Sequence, residues 1–313
     1  MRYFDLHCDT ITECFSHNQG LKKNNLHIDL DRADALDTYA QCYAVWVPDT
    51  LHGEEAFQYF RQVAVRLGQE TEANQESIQR CALPDDWDTA QREHRHCAIL
   101  TVENASALGG KLANIAEFAR LGVKLCTLTW NGANELGRGV RAEGNTGLTD
   151  FGRQAVVELE RQGIIVDLSH ASPELFEDVM GMAKNPVVAT HSNARALCGH
   201  PRNLTDAQFI KIRDSGGLVG LNLISFFLND DPAKAGIEDI LRHAEHFLSL
   251  GGEDTLAIGA DWDGGALKDF PLAGIQDIPL LYEFFLRRGY SERLVDKIFF
   301  ANAADFFKRE KLL

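Results

Sequence analysis

Positive charge is in short supply in this sequence: 31 Lys and Arg stand against 46 Asp and Glu, a formal net charge of −15. Phosphate binding needs clustered basic side chains, so no nucleic-acid partner is expected. The two densest basic stretches, 92–95 and 308–311, are interrupted by Glu93 and Glu310 and read as solvated helix ends. No apolar run approaches the ~18 residues that a membrane span requires. No basic-then-apolar leader precedes the first strand either, so no membrane association is expected. The seven cysteines are odd in number and form no Cys-x-x-Cys pair. Several fall inside apolar strand candidates, which points to reduced thiols and a cytoplasmic location. Repeats, low-complexity tracts and Pro- or Ser-rich linkers are also missing, so residues 1–313 are expected to form one domain.

What the chain does have is a large core and a regular alternation. Its composition, 45% hydrophobic and 25% charged, is that of an ordinary globular protein. Strand patterns fall at 4–9, 39–47 (stopped by Pro48), 97–102, 123–129, 164–168, 187–190, 217–222 and 255–260. Between them, Phe57, Phe60, Val63, Ala64 and Leu67 mark an amphipathic helix over 53–80. Others are expected at 112–121, at 151–162 behind a Thr149 or Asp150 cap, after Ser172-Pro173, at 206–214 behind Thr205, and at 237–250. The tail 291–313 is helical as well. Eight such alternations imply an α/β fold closed as a (β/α)8 TIM barrel with C-terminal helices. An open doubly wound sheet is the runner-up, but its Gly-rich first turn is absent. One long segment, 131–150, is rich in Gly and Asn and has no periodicity. Loops of that length in a compact domain are commonly functional.

In a barrel, catalytic groups sit at the C-terminal ends of strands. Here those ends carry His7 and Asp9, Glu103, His170, His191 and Asp261. His7 and Asp9 share one face of their strand, and Cys8 points to the other. So many acids and imidazoles at one mouth would repel each other without cations. A single catalytic zinc takes three protein ligands and a water. This set exceeds that, so two metals ~3.5–4 Å apart with a shared carboxylate fit better. Glu103 lies between the two ligand groups in strand order and is the natural bridge. No lysine ends the fourth strand, so a carbamylated-lysine bridge is not available.

The sequence resembles the renal (membrane) dipeptidase family of the metal-dependent amidohydrolase superfamily, in its bacterial-type cytoplasmic form. The resemblance runs through Asp5-Leu6-His7-Cys8-Asp9-Thr10, Thr101-Val102-Glu103, Leu125-Cys126-Thr127-Leu128-Thr129, Gly147-Leu148-Thr149-Asp150, Asp167-Leu168-Ser169-His170, His191-Ser192-Asn193-Ala194, Pro201-Arg202-Asn203 and Asp261-Trp262-Asp263-Gly264. It implies a dipeptide substrate and two zinc ions, with His7 and Asp9 on one, His170 and His191 on the other, and Glu103 bridging. Manganese or cobalt would suit the same ligands. A metal-bridging hydroxide would attack the peptide bond, with Asp261 as proton shuttle. Arg202 would hold the substrate's C-terminal carboxylate, for which its planar fork is well shaped. The alternative for Arg202 is a surface ion pair. A homodimer is also implied.

One position departs from the family pattern. After Leu-Thr-Leu-Thr, better-known members have a histidine that contacts the substrate carbonyl, and this chain has Trp130. Indole donates only through Nε1–H. Asn131, Asn134 or a metal alone would have to take over. Hydrolysis of N-acyl amino acids or lactams, and a non-catalytic metal-binding barrel, are the alternative functions.

Overall fold

The computed structural model describes residues 1–265 and 271–313. Its sheet has nine parallel strands: β1 (Arg2–Cys8), β2 (Thr38–Trp46), β3 (Ile78–Arg80), β4 (His96–Glu103), β5 (Val123–Thr127), β6 (Ile165–Asp167), β7 (Val188–Ala189), β8 (Leu218–Leu221) and β9 (Leu256–Ile258). β1 pairs with both β2 and β9, and β2 pairs with β4 over Ala40–Trp46, so eight strands close on themselves. The ninth, β3, adds to the early half of β4 outside the ring. The expected barrel is what the chain forms.

Strands covered on both faces read as continuous apolar runs, and β4 is buried at every residue. One buried cluster draws on all eight barrel strands, including Leu6, Cys42, Ile99, Leu125, Ile165, Val188, Leu218 and Ala257. That layer fills the barrel. The tail closes it at the early end of β1, where Phe307 lies 5.0 Å from Phe4 between ring centroids. A larger cluster packs the helices against the strands.

Helix starts follow the expected caps. Thr149 Oγ1 accepts from Gly152 N at 2.9 Å, Ser172 Oγ accepts from Leu175 N at 3.1 Å, and Thr205 caps Asp206–Asp214. The helix expected over 53–80 is shorter, Gly53–Ala73. Asn74 Nδ2 donates back to Glu70 O at 2.8 Å and ends it, and the chain then forms β3 and the helix Pro84–Arg92. The helices Thr10–Ser16 and Ile278–Arg287 were not expected.

Cysteine usage also departs from expectation. Cys81 and Cys97 are paired as a disulfide, because β3 lies beside β4 with Cα atoms 5.8 Å apart at this pair. The other five cysteines are free and buried. With a disulfide present, the cysteine pattern no longer argues for a reducing compartment. Among the described residues, no helix is long and apolar enough to cross a membrane.

Candidate active site

Two buried carboxylates that head two of the family blocks, with no role assigned to them from sequence, set the strand ends in place. Asp5 on β1 accepts from Tyr3 Oη at 2.6 Å, His7 N at 3.1 Å and Ala260 N at 3.0 Å, tying β1 to the turn after β9. Burial pushes its pKa up to about 6, against the pull of those hydrogen bonds. Asp167 on β6 does the same for the opposite side. It accepts from Ser169 N at 2.9 Å, Thr190 N at 3.0 Å, Thr127 Oγ1 at 2.5 Å and Thr190 Oγ1 at 2.6 Å. Backbone groups at strand ends need such partners, since the ladder no longer supplies them. His170 and Asp261 sit just past their strands with φ of +67° and +64°, a costly conformation for non-glycine residues that clusters at functional sites.

All six strand-end groups named from the sequence come together at one mouth. Glu103 Oε1 lies 2.9 Å from His170 Nε2 and 3.5 Å from His191 Nε2, and its Oε2 lies 3.5 Å from His7 Nε2. His7 Nε2 is 3.6 Å from Asp9 Oδ2 and 3.9 Å from Asp261 Oδ1. The donor atoms form three overlapping triads, His7/Asp9/Glu103, Glu103/His170/His191 and His7/His191/Asp261, each within 4.8 Å. Cys8 is buried in the cluster between strands and helices, as expected for the opposite strand face.

The hydrogen bonds behind the imidazoles decide which nitrogens face inward. Asn131 Oδ1 lies 3.1 Å from His170 Nδ1, and an amide oxygen can only accept. Thr190 Oγ1 gives its proton to Asp167, so at 2.8 Å it accepts from His191 Nδ1–H. Both rings therefore turn bare Nε2 lone pairs inward, and these stand only 3.1 Å apart. Two lone pairs at that distance repel unless a cation takes them. His7 Nε2 and Asp9 Oδ1 are likewise buried without a hydrogen-bond partner. Nitrogen and carboxylate donors of this kind suit divalent zinc, manganese or cobalt, so the residues fit a metal centre.

The electrostatics divide the three imidazoles: burial pushes His7 down, but the Glu103 and Asp9 carboxylates outweigh it and hold His7 well above its usual value. Burial, with Arg202 adding to it, pushes His170 down to about 4, and burial likewise holds His191 well below its usual value, so both are neutral imidazoles. Burial and the Glu103 charge push Asp9 up, and burial also raises Asp261. Burial pushes Glu103 up, but the surrounding imidazoles, His7 foremost, outweigh that and hold it well below the carboxylate range. Bound cations would relieve the strain on Asp9 and Asp261.

A cavity of about 420 Å³ opens above this floor, bounded by Trp46, Trp130, Asn131, Arg141, Arg202 and Phe227 among others. Arg202 is 4% exposed. Its Nη2 donates to His191 O at 3.2 Å, its Nε has no partner, and its guanidinium lies 5.5 Å from the Phe227 ring centroid. That excludes a surface ion pair.

A scan against protein families matches residues 1–312 to the membrane dipeptidase family, peptidase family M19. The chain belongs to that family. It is 32% identical over 234 residues to an uncharacterized Klebsiella pneumoniae protein from the pqqA 5′ region, covering 72% of this chain and 86% of that one. It is 29% identical over 283 residues to dipeptidase tcpJ of Claviceps purpurea, 87% of this chain and 66% of that protein. Among solved structures, a Rhodobacter sphaeroides metallopeptidase bound to a phosphinate mimic of L-Ala-D-Ala superposes with a TM-score of 0.92 at 27% identity, over 99% of both chains. An M19 dipeptidase superposes equally well, TM-score 0.92 at 29% identity, over 100% of this chain and 99% of the other. The chain is thus a metal-dependent peptide hydrolase on a TIM barrel.

Within this M19 chain, the position that departs from the family pattern is part of the cavity wall. Trp130 meets Trp46 edge-on at 5.1 Å between centroids and lies 6.2 Å from His170. Asn131 also lines the cavity, with its amide oxygen committed to His170. Asn134 is ruled out as a substitute for the family histidine. Its Nδ2 donates to Asn104 Oδ1 and Leu128 O, and its Oδ1 accepts from Leu136 N and Gly137 N, so it pins the loop. Sequence reasoning missed Asn222, whose Nδ2 donates to Asp261 Oδ2 at 2.8 Å, and the Asp167–Thr190 pair. The latter had a signal, since Asp167 and Thr190 each stand within three residues of a strand-end histidine.

Proposed function

We propose that this chain is a binuclear zinc dipeptidase, with His7 and Asp9 holding one ion, His170 and His191 the other, and Glu103 shared. The observation that carries this is the division of Glu103, whose two oxygens turn to different imidazole groups, His170 and His191 on one side and His7 on the other. When bound, the ions supply Lewis acidity and acidify a water for attack on the scissile carbonyl. Asp261, held by Asn222 and raised by burial, is suited to take a proton and pass it to the leaving amine. Arg202 pairs with the substrate's C-terminal carboxylate through the guanidinium face that has no protein carboxylate to hold. Trp130 and Asn131 shape the wall beside the scissile bond. With one substrate end on Arg202 and the other at the metal floor, the cleft measures length, which favours dipeptides over longer chains.

The test is a panel of dipeptides, tripeptides and N-acetylated dipeptides, assayed with zinc-, manganese- and cobalt-reconstituted protein. Free dipeptides should be cleaved, and both other groups should be poor substrates. Preference for N-acyl substrates would overturn the dipeptidase reading in favour of an acyl-amino-acid amidohydrolase.

A further inference from the structure

A zwitterionic dipeptide offers one carboxylate, and Arg202 is enough to hold it. The same cavity is nevertheless lined by a second arginine, Arg141. In a chain with a net charge of −15, an unpaired guanidinium needs a reason. Most arginines here are engaged, such as Arg2 with Asp296, Arg66 with Glu70 and Arg153 with Asp178. Arg141, among the described residues, has no ion pair and no side-chain hydrogen bond, although its side chain is exposed to the cleft.

Its backbone, by contrast, is firmly placed. Arg141 N donates to Asn131 O at 2.9 Å, Val140 N donates to His170 O at 2.8 Å, and Gly139 N donates to Gly132 O at 2.7 Å. A Cβ at Gly139 would stand 2.0 Å from Trp130 O, so only glycine lets this turn press onto the Trp130–Gly132 segment. The Arg141 side chain therefore leaves the wall at a point fixed relative to metal-ligand candidate His170. Its field reaches the Arg202 end of the cleft. After burial, Arg141 contributes to the lowering of His200, and it opposes the protonation of Arg202 as well. His200 is itself tied to this corner, since Arg202 N donates to its Nδ1 at 3.1 Å.

We propose that Arg141 binds a side-chain carboxylate on the C-terminal residue of the substrate, making dipeptides that end in Asp or Glu the preferred class. The assignment rests on the dipeptidase reading. Arg202 takes the main-chain carboxylate of that residue, and Arg141, on the same end of the cavity, takes the second one. Two cations lining one cavity repel each other when it is empty, and a dianionic residue relieves both.

The test compares kcat/KM for Ala-Asp with Ala-Asn and Ala-Glu with Ala-Gln, each as L,L and L,D isomers, in zinc-reconstituted protein. The acid should be favoured over its amide by about tenfold, the usual scale of one charge-assisted hydrogen bond. Arg141→Gln should bring that ratio close to one, and Arg141→Lys should keep part of it. Arg141→Glu should reverse it, so that Ala-Lys is cleaved better than Ala-Asp. Added salt should shrink the wild-type ratio, as for any solvent-accessible pair. A wild-type ratio near one with neutral dipeptides still cleaved would overturn the role of Arg141 and leave the dipeptidase reading standing. A ratio that survives Arg141→Gln would also overturn it. Failure to cleave any dipeptide would remove both.

Discussion

At the floor of the cleft, Asp5 accepts three hydrogen bonds and Asp167 four, and His170 and His191 have their outer nitrogens committed to Asn131 and Thr190. On the wall a few ångströms above, Arg141 holds nothing among the described residues, and Arg202 spends one hydrogen bond on the His191 carbonyl. Toward the cleft centre the floor leaves ligand atoms free, with the Nε2 atoms of His7, His170 and His191 converging on Glu103. A site built this way suits ligands that stay, such as metal ions, whose donors must be prepositioned. The wall leaves its donors free, as suits a ligand that comes and goes with each turnover.

Breaking the floor should therefore cost far more than altering the wall. Glu103→Ala removes the group that both imidazole sets share, and kcat/KM should fall by at least about a thousandfold with loss of bound metal. Elemental analysis of the purified variant checks the metal loss, and retention of both metals would show that Glu103 is no bridge. Asp167→Asn acts one layer out. It should weaken metal binding by roughly 10–100-fold by loosening the Thr190–His191 contact, read in a competition titration with a chelating dye. An unchanged affinity alongside a lowered Tm would assign Asp167 to stability alone. Asn131→Ala leaves His170 Nδ1 without its acceptor and should cost about tenfold in metal affinity, read in the same competition titration. Trp130→His, a change in the wall alone, should keep the enzyme active and reorder its preference across a dipeptide panel. An unaltered order would deny Trp130 any contact with substrate.

The same division explains how much of the molecule the sequence discloses. His7, Asp9, Glu103, His170, His191 and Asp261 are legible because strands repeat at regular intervals and a closed parallel barrel must gather their C-terminal ends. β3 was invisible, since Ile78-Gln79-Arg80 is too short to show alternation and follows a polar helix end. The helix Ile278–Arg287 was overlooked despite Pro279 in its first turn, a usual start signal. The Cys81–Cys97 disulfide depends on that hidden strand, so spacing alone gave no hint of it. On the wall, Trp130 and Arg202 stood out only through family resemblance. Arg141 lies in the aperiodic 131–150 segment, whose path is set by side-chain contacts such as those of Asn134 rather than by any repeating pattern.

The paired lone pairs of His170 and His191, and the split allegiance of Glu103, make two bound metals the central claim. Metal-free protein titrated with zinc, with dipeptide hydrolysis followed against equivalents added, tests it most directly. Activity should rise until about two equivalents per chain are bound and then level off. Full activity reached at one equivalent, with no further gain from the second, would contradict it.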